Sequence, residues 1–122
     1  MNTNKQNHGR FGELVTAEYL REQGYIIVKK NYRDRFGEID IIAENRDTLV
    51  FVEVKTRSED AWFSGREAVD FYKQKRIVMT ANAFAQRIHL DLPFRFDVSE
   101  VTLFRDNEGK LSYRIHYIPS AF

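Results

Sequence analysis

The chain has 122 residues, a net charge of +1 and no cysteine, which excludes disulfide staples, thiolate zinc sites and cysteine nucleophiles. With 43% hydrophobic and 30% charged residues, its composition is that of one folded domain rather than a disordered segment, and no apolar run approaches the roughly 20 residues of a membrane helix. These features predict a single domain over residues 1–122, cytoplasmic and without a membrane partner, with the polar residues 1–8 flexible.

From about Arg10 to Gln23 the residues favour a helix, ending at Gly24, which suits a left-handed cap. Phe11, Leu14, Val15, Ala17, Tyr19 and Leu20 spread round much of its surface and predict a well-buried helix. On the wheel Glu13 lies between Ala17 and Leu20, and Glu18 between Phe11 and Leu14, so periodicity leaves both acids open as inward-facing. Tyr25 to Val28 reads as a first strand, which the basic, polar segment NYRDRFG is expected to break.

The segment Gly37 to Lys55, GEIDIIAENRDTLVFVEVK, reads as a hairpin with a tight turn at Arg46 and Asp47. That turn pairs Asn45 with Thr48 and fixes the register by counting: Ile42 faces Phe51, Asp40 faces Glu53 and Glu38 faces Lys55, with all six side chains on one face. Opposed Cβ atoms lie about 4.5–5.5 Å apart, so Asp40 and Glu53 repel unless one is protonated or a cation lies between them. Hard oxygen ligands without cysteine or histidine select Mg²⁺, Mn²⁺ or Ca²⁺. For phosphate chemistry the expected cofactor is Mg²⁺, with Mn²⁺ able to substitute.

In this reading Asp40 and Glu53 hold the metal and the Val54 carbonyl is a further ligand. The Lys55 ammonium, on the same face as Glu53, orients a water, stabilises hydroxide or neutralises a phosphate oxygen. The competing reading makes Glu38, Asp40, Glu53 and Lys55 the wet face of an amphipathic hairpin, with Glu38 paired to Lys55. Tyr32, Arg33 and Arg57 mix aromatic and basic character near the site, as a phosphate-tracking groove would.

Arg66 to Arg87 reads as a long helix with an apolar stripe at Val69, Ile77, Ala81, Phe84 and Ile88. Lys73 falls on that stripe, where it either snorkels to solvent or reaches the site. Two final strands, near Phe94 to Phe104 and Leu111 to Ile118, are joined by a turn at DNEG; Arg95 and Asp97, in the first of them, are expected to pair with each other or with a neighbour in a structural role. The order is therefore helix, three strands, helix, two strands: an α/β domain with helices packed on one sheet. Basic clusters at Lys29, Lys30, Arg33 and Arg35, and at Lys73, Lys75 and Arg76, leave a nucleic-acid partner open although the net charge does not demand one.

The block GEID with FVEVKTR, preceded by GRFGELVTAEYLREQGY and followed by EAVDFYKQKR and RFDV, resembles the YraN-like family of small bacterial proteins across nearly the whole chain. That resemblance implies a restriction-endonuclease-like fold with an α-β-β-β-α-β core, a mixed central sheet flanked by helices and a PD-(D/E)XK site, related to archaeal Holliday junction resolvases. It makes Asp40 the motif aspartate, Glu53 and Lys55 the E-x-K pair, Glu13 the first-helix acid and Lys73 a basic position on the second helix. Ile39 stands where that motif has proline, a change the metal chemistry tolerates.

The expected activity is Mg²⁺-dependent hydrolysis of phosphodiester bonds in DNA, branched or otherwise structured. Asp40, Glu53, Lys55 and Glu13 are the catalytic set, Glu38 adds to the metal ligands, and Lys73, Arg57 and Arg33 contact substrate. The alternative is a catalytically silent nucleic-acid-binding or partner-recruiting module on the same fold. A homodimer would suit cutting two strands of a symmetric junction.

Overall fold

The computed structural model describes residues 3–59 and 69–122. Its elements are α1 (Thr3–Glu22), β1 (Ile26–Asp34), β2 (Gly37–Asn45), β3 (Thr48–Ser58), α2 (Phe71–Arg87), β4 (Phe94–Arg105) and β5 (Leu111–Ile118). The strands form one sheet in the order β1-β2-β3-β4-β5, antiparallel except for the parallel pair β3 and β4. This is the mixed α/β arrangement expected from the element order, compatible with an α-β-β-β-α-β core.

Strand β3 occupies the middle of the sheet and is apolar on both faces, as a covered strand must be. Val50 and Val52 pack with Ala17, Leu20, Ile41 and Ala43 on the α1 side. Leu49 and Phe51 pack with Ile42, Ile77, Ala81 and Phe84 on the α2 side. The two helices therefore seal opposite faces.

Helix α1 is buried along one side only: Thr16, Ala17 and Leu20 are inaccessible, but Leu14 is 54% exposed and Glu18 is exposed. Its apolar residues outnumber what one sheet face can cover, so the helix is less fully buried than their spread predicts. A Cβ at Gly12 would lie 1.8 Å from the Thr56 hydroxyl, so only glycine admits this approach to β3. Farther along, the buried Thr16 and Ser99 hydroxyls meet at 2.8 Å and tie α1 to β4. The helix ends as Gly24 predicts, at φ +92°, with Gly24 N–H bonded to the Arg21 carbonyl and Tyr25 N–H to that of Leu20.

Strand β1 is not broken at NYRDRFG but continues to Asp34. A bulge between Ile27 and Lys29 and a left-handed Asn31 at φ 54° absorb the irregular stretch. Tyr32, expected in a phosphate groove, is instead a core residue packed edge-on against Phe84 at 5.0 Å. Helix α2 begins after Asp70, whose carboxylate accepts from Lys73 N–H at 2.8 Å as an N-cap, so Val69 and Asp70 precede the helix; residues 66–68 of the expected helix lie outside the described residues. Ile77, Ala81 and Phe84 are buried as the stripe predicts, whereas Ile88 is the C-cap and turns outward.

Arg95 and Asp97 do pair. Asp97 is fully buried and accepts from the Arg95 guanidinium, from Tyr117 O–H at 2.6 Å and from Ser120 N–H at 2.9 Å. The network holds the C-terminal tail to β4. Burial, then the hydrogen bond to Asp97, pushes the Tyr117 phenol well above its usual range.

Candidate active site

The hairpin turn has the predicted register from Asn45 opposite Thr48 to Ile42 opposite Phe51, and one rung further to Ile41 opposite Val52. Beyond this rung β2 follows β1, with Ile39 opposite Tyr32 and Glu38 opposite Arg33, while β3 follows β4, with Glu53 opposite Val98. Alternation also reverses here. Ile39 packs in the α2 layer, but Ile41 and Ala43 pack in the α1 layer. Asp40 sits at the reversal, and its Oδ2 accepts from Val54 N–H at 2.8 Å, standing in for the missing backbone rung.

The carboxyl groups of Asp40 and Glu53 nevertheless meet and share a hydrogen bond. Burial, then the Glu53 charge, pushes the Asp40 carboxyl up to about 8, against the lowering effect of the Val54 N–H. Glu53 is itself 8% exposed and is bonded from the other side by the Lys73 ammonium of α2. Of the two readings of Lys73 the geometry follows the second: the residue is half-exposed, but its ammonium reaches the buried Glu53 rather than turning to solvent.

Glu13 approaches from α1 and hydrogen-bonds Asn31; burial raises its pKa, aided by the charges of Glu38 and Glu53 and opposed by Asn31 and Lys30. Between the two acids the wheel left open, the fold selects Glu13. Among the described residues no three His, Asp or Glu side chains surround one point as a ready metal cage. The donor chemistry still fits a hard cation, because Mg²⁺ is commonly held by one or two carboxylates and keeps several waters.

Alternation along β3 places Lys55 and Arg57 on the same side as Glu53, both half-exposed. Glu38 departs from expectation. It is 60% exposed and bonded by Arg33 Nη2 at 2.7 Å, rather than facing Lys55, because β2 has already left β3 and its cross-strand neighbour is in β1. Sequence reasoning missed the contact of Asn31 with Glu13, made by its amide from a left-handed backbone, and marked Arg76 only as part of a basic cluster, whereas its Nε donates to the Phe36 carbonyl at 3.1 Å and joins α2 to the β1–β2 turn. The signal for Asn31 was its residue type, the one that most readily takes positive φ after glycine.

Residues 12–101 match the profile described as "Uncharacterised protein family UPF0102". The chain belongs to this family. It is 44% identical over 116 residues to a UPF0102 protein of Clostridium botulinum strain 657, covering 93% of this chain and 92% of that one. A UPF0102 protein of Desulforapulum autotrophicum is 42% identical over 123 residues, covering 100% and 98%. Among solved structures, Pyrococcus furiosus SfsA in complex with Ca²⁺ is similar at TM-score 0.45 and 16% identity; the alignment covers 90% of this chain and spans 62% of that one. Among the described residues no helix is long and apolar enough to cross a membrane.

Proposed function

We propose that this UPF0102 chain is a metal-dependent phosphodiesterase that acts on DNA. The observation that carries the reading is the meeting of Asp40 and Glu53: two carboxyl groups of adjoining strands share one desolvated spot at the cost of a raised pKa, with Lys55 next on the same strand face. Asp40 and Glu53 would hold Mg²⁺ or Mn²⁺, which when bound supplies Lewis acidity and an acidified water.

The chain's own groups do the rest. The Lys73 ammonium, bonded to Glu53, places a positive charge at the edge of the site, where it would face an incoming phosphate. Lys55 steadies the water that attacks phosphorus or the charge that builds on the phosphoryl oxygens. Glu13 orders water at the edge of the site, Val54 anchors Asp40 through its N–H, and Arg57 lies where a phosphate backbone would pass. Glu38, held by Arg33, contributes charge rather than a ligand.

The test is incubation with plasmid and four-way-junction DNA in Mg²⁺ or Mn²⁺. Cleavage abolished by Asp40→Ala and by Glu53→Ala supports the reading, and cleavage that survives both overturns it. One observation favours a second reading. The Lys73–Glu53 bond, together with burial that raises the Asp40 pKa, already accommodates the acids without any ion, as in a silent nucleic-acid-binding module. Calorimetric titration with Mn²⁺ separates the two, since the module gives no heat and salt-dependent DNA binding in EDTA. Action on both strands of a symmetric junction would call for two copies of the chain, and light scattering at high concentration reads that directly.

A further inference from the structure

The amino end of α2 leaves two adjacent aromatic side chains in solvent, Phe71 at 77% and Tyr72 at 78% exposure, the largest values among the exposed large hydrophobics of the described residues. Single exposed apolar residues are ordinary, but Tyr72 stands next in the chain to Lys73, which lines a basic groove, whereas Phe71 turns to the other flank of the helix. Taking the buried Ile77 as inward and turning 100° per residue, Lys73, Arg76 and Tyr72 follow one another up a single side of the helix. The bond from Arg76 to the Phe36 carbonyl shows that this side faces the β1–β2 turn.

Between the helix and that turn lies a groove of about 430 Å³, lined on its basic side by Arg33, Lys73 and Arg76. Arg33 also borders the next cavity, of about 770 Å³, together with Arg35 and Arg87, so the basic lining continues along the turn. The acids there are engaged: Asp34 accepts from Tyr32 O–H at 3.2 Å and Phe36 N–H at 2.8 Å, and Glu38 accepts from Arg33. Arg33 and Arg35 of β1 and its turn, and Lys73 and Arg76 of α2, are thus brought to neighbouring cavities on one surface beside Tyr72.

We infer that the amino end of α2 binds an unpaired nucleotide within a single-stranded segment of nucleic acid, with Arg33 and Arg76 taking backbone phosphates and Tyr72 stacking the base. The excess of cations over acids in the lining favours a polyanion, and the exposed Tyr72 ring selects one whose base faces are open. A continuous duplex keeps those faces stacked and gains nothing from Tyr72. The inference rests on the phosphodiesterase reading only in placing this segment beside Asp40 and Glu53.

The test is fluorescence anisotropy with a labelled thymidine oligonucleotide, single-stranded or annealed to its complement, in EDTA. The Phe71→Ala/Tyr72→Ala protein, both sites being on the surface, is expected to keep its melting temperature. It should lose about tenfold or more in single-strand affinity while duplex affinity stays within about twofold, with Tyr72→Trp retaining binding. Quenching of a 2-aminopurine base should accompany binding to wild type and vanish in the double variant. Equal losses on both forms, no loss, or no single-strand binding by wild type overturns the inference. Turnover of bis(p-nitrophenyl) phosphate with Mn²⁺, compared with Asp40→Asn, reads the phosphodiesterase proposal separately. Turnover without a stacking effect sinks only this inference, and stacking without turnover sinks only that proposal.

Discussion

The Asp40 carboxylate accepts the backbone N–H of Val54 at 2.8 Å, so a side chain completes the hairpin where its backbone ladder stops. Removing that acceptor strands a part-buried donor. Asp40→Ala should lower unfolding free energy by about 1–3 kcal/mol in denaturant titrations, whereas Asp40→Asn, which keeps an acceptor oxygen, should not. Equal destabilisation by both would show that the Val54 bond carries no weight.

The same residue sets a pH dependence. Its folded pKa, pushed up to about 8, lies above the ordinary 3.8, so the folded state binds the extra proton between those values. The stabilisation is full below pH 4 and is lost as pH rises through about 8, at no more than about 1.4 kcal/mol per pH unit for one proton. Glu13, also raised, acts in the same direction. In EDTA, the stability of Asp40→Asn relative to wild type should therefore grow with pH and level off above 8. A difference that shrinks as pH rises would contradict the assignment.

Lys73 bonds a Glu53 that is only 8% exposed, while itself remaining half-exposed. Lys73→Met leaves that carboxylate beside Asp40 without its cation, and discounting for solvent screening of the lysine, the cost should be about 1–3 kcal/mol. If the two acids hold a divalent ion, Mn²⁺ should restore much of the lost melting temperature. Scanning calorimetry with and without Mn²⁺ checks both halves, and a deficit that Mn²⁺ leaves untouched counts against a metal at this spot.

Gly12 faces the Thr56 hydroxyl at a distance no Cβ tolerates. Gly12→Ala gains helix propensity yet must push α1 from β3 or rotate Thr56, and should destabilise by about 1–3 kcal/mol on balance. Gly9, with nothing within 4 Å of its would-be Cβ, is the control: Gly9→Ala should be neutral or stabilising. The pair of thermal melts distinguishes packing from propensity.

Local chemistry made most of the architecture legible. Gly24 ended α1, and the Arg46–Asp47 turn set the pairing of Ile42 with Phe51. Those features depend on residues near one another in the chain or on strict strand period, which a sequence displays directly. The convergence of Asp40 and Glu53 followed from the same counting, although the counting assumed an unbroken ladder.

Other features depended on distant partners. That β2 leaves β3 at Asp40, that Glu38 consequently turns to Arg33, that Lys73 reaches Glu53, and that Tyr32 is core rather than groove were decided by competition among three layers for space. The sequence by itself determined which acids and cations were available and the order of the elements that carry them. Only the tertiary structure decided which charges meet, because ion pairs and shared protons depend on separations of a few ångströms that helix packing and a strand reversal, not spacing along the chain, establish.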